Sequence, residues 1–131
     1  MRVSWSPEAM VIGLPSLDQA HREIVLLLSA LTTAIEAAEP EAAGIAAAEF
    51  EERAGHHFAE EEQLFPFAPR HDVLHHRRAH RRAMKVIGLI KAAVDARDMA
   101  AATQVLDRLG PTILTAMLTD DSGLAAELHL G

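Results

Sequence analysis

The sequence contains no cysteine and no tyrosine. Without cysteine there is no disulfide, no thiolate metal ligand and no iron–sulfur cluster, and a reducing compartment suits the chain. With one tryptophan and four phenylalanines, the core has to be built mainly from aliphatic side chains. No apolar run reaches the ~20 residues that a membrane-spanning helix needs. Residues 1–7 lack the basic-then-apolar pattern of a signal peptide. A cytoplasmic protein without membrane contact is therefore expected. Positive charge is also scarce, with 12 Lys and Arg against 19 Asp and Glu, for a formal net charge of −7. Such a chain repels nucleic acid and anionic membranes, so neither is expected as a partner.

What is present is helix-forming and apolar. Half of the 131 residues are hydrophobic, enough for one domain with a core of its own. Ala and Leu dominate, and both favour helix. Residues 1–15 are expected as an extended arm, broken by Pro7, Gly13 and Pro15, with Trp5 closing one end of a core. Ser16 and Gln19 have the spacing of a capping box. Behind them Leu17, His21, Ile24, Leu28, Leu31 and Ile35 form one stripe of a helix reaching about Ala38. A second helix is expected from about Glu41 to Leu64, with Phe50, Ala54, His57, Glu61 and Leu64 inward. After Pro66 and Pro69, a third runs from about Arg70 to Val94 on the stripe Val73, His76, His80, Ala83 or Met84, Ile87, Ile90 and Val94. A fourth runs from about Met99 to Leu118 on Val105, Leu106, Leu109, Ile113, Ala116 and Met117, weakened by Gly110-Pro111. Thr119 to Gly123 forms its exit, and residues 124–131 add a short helical turn. Four such segments with short connections predict an all-α, up-down-up-down four-helix bundle spanning 1–131 as a single domain.

The inner stripes carry residues that are costly to bury. His57 and Glu61 are four apart, as are His76 and His80, so each pair shares one helix face. His21 lies in the middle of an apolar stripe, where an imidazole needs a partner. Glu61 on such a stripe needs a cation. Asp121 suits either an exposed turn or a sixth ligand. Together His21, His57, Glu61, His76, His80 and Asp121 offer nitrogen and oxygen donors at a similar depth on separate segments. That donor set suits iron, manganese or zinc rather than copper(I). By contrast His56, His71, His75, His129, Glu60, Glu62 and the basic set Arg77, Arg78, Arg81 and Arg82 are expected on solvated faces.

With those residues in view, the chain resembles the bacteriohemerythrins, single-domain non-haem di-iron proteins. The resemblance rests on Trp5, on Val11-Ile12-Gly13-Leu14-Pro15 through Asp18-Gln19-Ala20-His21, on His57-Phe58-x-x-Glu61-Glu62, on His76-x-x-x-His80 and on Asp121. It implies two iron ions with an oxo or hydroxo bridge, manganese or zinc being able to substitute. One iron would sit on His21 and His57 with an open position for dioxygen, the other on His76 and His80, with Glu61 and Asp121 bridging. The chain departs from the family pattern where a further histidine ligand would stand, five residues before Asp121: that residue is Ala116. Thr112 stands in place of a tryptophan and Arg53 in place of an inner tyrosine-like residue.

Three functions follow from these residues. The resemblance implies a monomeric protein that binds dioxygen, or another small diatomic or peroxide ligand, for storage, delivery or sensing. Ala116 opens a second position, which suits a di-iron oxidoreductase acting on peroxide, dioxygen or nitric oxide. A degenerate, metal-poor bundle is the third. Binding is expected over enzymatic turnover.

Overall fold

A computed structural model describes residues 15–116 and 121–130. The expected arm, with Trp5, lies outside the described residues. The helices are α1 (Pro15–Glu36), α2 (Pro40–Glu62), α3 (Val73–Asp95), α4 (Met99–Thr115) and α5 (Asp121–Leu130), with a 3-10 turn at Phe65–Phe67 between α2 and α3. Among the described residues there is no strand, and the protein is all-α. α1 packs on α2, α2 on α3 and α3 on α4, and α1 also meets α4. The helices thus surround one core, as in a bundle.

The inner stripes explain that packing. All six stripe residues of α1 are buried, from Leu17 to Ile35. Phe50 and Ala54 of α2, Ala83, Ile87 and Ile90 of α3, and Leu106 and Ile113 of α4 join Ile24, Leu28, Leu31 and Ile35 in one continuous apolar cluster. Leu109 does not join it. It is 38% exposed, because the inward face of α4 is set by Ala102, Leu106 and Ile113, and Leu109 falls to its side. A second small cluster, Phe65, Ala68 and Leu124, links the 3-10 turn to α5.

Local chemistry sets the helix ends. α1 already includes Pro15, so Ser16 lies within the helix rather than before it. α3 begins at Val73 rather than near Arg70, because the Asp72 carboxylate accepts a bond from the His75 amide at 3.0 Å. Asp98 caps α4 in the same way, accepting from the Ala101 amide at 3.0 Å. Each cap of this kind is worth about 1 kcal/mol. α1 and α3 close through left-handed residues that are not glycine, Ala38 with φ 54° and Arg97 with φ 60°. Behind Ala38, the Glu39 amide donates to the Ala34 carbonyl and the Ala38 amide to the Ile35 carbonyl, both at 3.0 Å. That double reach-back caps the last carbonyls of α1.

Two features at the C-terminal end bear on the site. Pro111 lies inside α4, which nevertheless carries on to Thr115. The segment after residue 120 is more than a turn: it is the ten-residue α5, which starts at Asp121.

Candidate metal centre

α1 contributes His21, α2 contributes His57 and Glu61, α3 contributes His76 and His80, and the first residue of α5 is Asp121. All six are between 0% and 3% exposed. Glu61 stands in the middle. Its Oε2 lies 2.6 Å from His57 Nε2 and 3.6 Å from His21 Nε2. Its Oε1 lies 3.0 Å from both His76 Nε2 and His80 Nε2. Asp121 repeats the pattern, with Oδ2 at 2.6 Å from His21 Nε2 and Oδ1 at 2.7 Å from His76 Nε2. So each carboxylate gives one oxygen to the His21/His57 pair and the other to the His76/His80 side.

This produces two groups that share their carboxylates. His21, His57, Glu61 and Asp121 form one, and Glu61, His76, His80 and Asp121 the other. Within each, the ligand atoms lie within 4.8 Å of one another, close enough to hold a metal ion. The donor atoms also fit a cation better than they fit each other. His57 Nε2 and Glu61 Oε2 are 2.6 Å apart, yet among the described residues neither completes a hydrogen bond of ordinary geometry. Buried lone pairs that close without bonding suit two ligands aimed at one ion.

The electrostatics agree. Burial opposes a charge on His57, but the Asp121 and Glu61 carboxylates outweigh it and push the imidazole up to about 9. His76 goes up to about 9 against the same opposition and for the same reason. His21 is raised, burial again opposing and Asp121 and Glu61 prevailing. Glu61 is held well below the usual carboxylate range: burial works against this, and contacts with Asp121, His21, His57 and His76 win. The cluster therefore draws positive charge into the core.

Aromatic rings hold the imidazoles in place. Phe58 stacks on His80 with centroids 4.2 Å apart, and Phe65 leans on His76 at 5.0 Å. A cleft of about 240 Å³ lined by Gln19, Glu23, Arg53, His56, His57 and Glu60 opens beside His57. There Arg53 pairs with Glu23 at 3.4 Å on the surface.

Residues 13–125 match the hemerythrin HHE cation binding domain. The chain belongs to the hemerythrin family. No curated protein matches it. In this hemerythrin domain Asp121 is wholly buried rather than an exposed turn residue, because it opens α5 and points inward to His21 and His76. Ala116 is 2% exposed and belongs to the apolar cluster. Asp120 lies outside the described residues.

Two expectations for solvated residues need correction. His71 is half-buried, and its Nε2 sits 2.6 Å from His76 Nδ1. Glu62 is only partly exposed and approaches His80 Nδ1 at 3.3 Å, while its other oxygen accepts from Arg77 Nε at 3.1 Å. Stripe reading missed both because neither lies on an inward stripe. The usable signal was the sequence neighbourhood: His71 directly precedes the cap Asp72, and Glu62 follows Glu61. His56, paired with Glu60 at 2.9 Å, is exposed as expected. His129 is a residue whose side chain is not described.

Proposed function

We propose that this domain holds two iron ions at His21, His57, Glu61, His76, His80 and Asp121, and binds dioxygen at the His21/His57 side. The observation that carries the reading is the sharing of both carboxylates between two imidazole pairs. One buried ion would need one such pair and no sharing. Iron is favoured among the metals that suit this donor set because the family resemblance implies it. When bound, the pair would supply the two electrons that reversible uptake of dioxygen requires.

The chain's own residues do the rest. The imidazoles bind through Nε2 in their neutral form, so loading must release the protons that His57 and His76 otherwise hold. Glu61 and Asp121 fix the spacing of the two halves. Phe58 and Phe65 limit ring rotation, and the aliphatic stripes exclude water. The cleft beside His57 gives a small ligand its approach to the half with fewer outer contacts.

A second reading, a di-iron oxidoreductase, is favoured by one observation. Ala116, where the resemblance implies a further ligand on the His76/His80 half, is buried and has no donor atom, so that half would have a position open to an outside ligand. Iron analysis with the visible spectrum of the reduced protein before and after air tests both readings. Two irons per chain and a band that disappears again on removing oxygen support binding. Rapid irreversible bleaching with turnover of a reductant favours the enzyme. Fewer than one iron per chain would defeat both.

A further inference from the structure

The two halves of the centre differ in what stands behind their imidazoles. Among the described residues, Nδ1 of His21 and Nδ1 of His57 are buried without a hydrogen-bond partner. On the other side both outer nitrogens are met: His76 Nδ1 by His71 Nε2 at 2.6 Å, and His80 Nδ1 by Glu62 Oε2 at 3.3 Å. The His76/His80 half is thus the half supported from outside.

We propose that His71 is a positioning residue for His76, fixing which of its ring nitrogens faces the centre. This rests on the metal reading above. Two imidazoles 2.6 Å apart, nitrogen to nitrogen, share one proton between them. His76 Nε2 is turned to Asp121 Oδ1 and Glu61 Oε1, where its lone pair must be free for a cation. The shared proton therefore sits on His76 Nδ1 and His71 Nε2 accepts it. His71 is held for that task. Its ring lies 5.8 Å from that of Phe65, and its Cε1 packs near Gly123, two residues from Asp121. One loop residue thus touches the surroundings of both a nitrogen and a carboxylate donor. Outer partners of this kind typically matter 10- to 100-fold in metal affinity.

The test is titration of the metal-free full-length protein with Zn²⁺, comparing wild type with His71→Phe and His71→Gln. Phenylalanine keeps a ring against Phe65 but accepts no proton, whereas glutamine offers an acceptor. Wild type is expected to take two ions. His71→Phe should weaken one of the two steps by about 10- to 100-fold and leave the other unchanged, and His71→Gln should recover most of that loss. Nitrogen-15 spectra of the zinc-loaded protein should show the proton of His76 on Nδ1 in wild type. Uptake of two ions by His71→Phe with wild-type affinities, or an equal loss at both steps, would overturn the inference and leave the metal reading standing. Failure of wild type to bind Zn²⁺ would sink both.

Discussion

Glu61→Gln perturbs one of the two carboxylates that touch both halves of the centre, and its effect can be worked from the contacts. Glu61 is wholly buried with four imidazoles within 3.6 Å. In the metal-free protein its charge helps raise His57 and His76 to about 9. Removing one partner from a buried charged cluster costs on the order of 3 kcal/mol, which for a domain of this size is a fall of roughly 10 °C in Tm. The loss must depend on pH, and its sign follows from the imidazoles. A histidine raised in the folded state stabilises the fold fully below its unfolded value near 6.5, and loses that contribution as pH rises through about 9. So the gap between wild type and variant should be widest near pH 6 and close towards pH 9.5. There the imidazoles are neutral and a buried carboxylate no longer helps. The variant should also bind less than two metals per chain, since an anionic donor is lost from each half. Glu60→Gln is the control, because Glu60 is 58% exposed and pairs with His56 at the surface, a contact worth under about 1 kcal/mol. Thermal unfolding of both metal-free variants at pH 6, 7.5 and 9.5, with metal analysis, reads the outcome. A gap that does not change with pH would falsify the assigned role of Glu61.

Ala116→His should cost about 1–3 kcal/mol in the metal-free protein, because Ala116 is packed in the apolar cluster, and regain stability once iron is loaded; thermal melts with and without metal check this, and an unchanged iron spectrum would show that position 116 does not face the centre. Ala38→Gly should raise stability by about 1 kcal/mol, since alanine is held at φ 54° where glycine is unstrained; a lower denaturation midpoint would contradict the closure described for α1.

Periodicity carried most of the fold and the inner site. In α1 the stripe from Leu17 to Ile35 is buried without exception, because burial on a helix repeats with its turn. The same rule picks out His57 with Glu61 and His76 with His80, since residues four apart share a face. It fails where a residue acts from outside a regular element. His71 sits in a loop and reaches His76 across the start of α3, a relation set by the Asp72 cap rather than by any period. Asp121 was ambiguous for a similar reason: it stands at the edge of a helix, where periodicity is silent. Leu109 shows the opposite failure. It is apolar and near the stripe, yet the helix face turns it outward.

A buried set of imidazoles and carboxylates is a burden to a bundle unless something neutral or cationic completes it. Protons can do so in part, and the raised His57 and His76 are the mark of that solution. They leave it incomplete, since among the described residues His57 Nε2 and Glu61 Oε2 still lack hydrogen bonds at 2.6 Å. Metal ions compete for the same lone pairs and can satisfy more of them at once. Protons and metal are therefore alternatives at one site rather than independent ligands. The main apolar cluster, from Ile24 to Ala116, needs neither. The fold can thus persist while its centre exchanges one kind of cation for the other. It follows that acid should release metal well before it unfolds the protein.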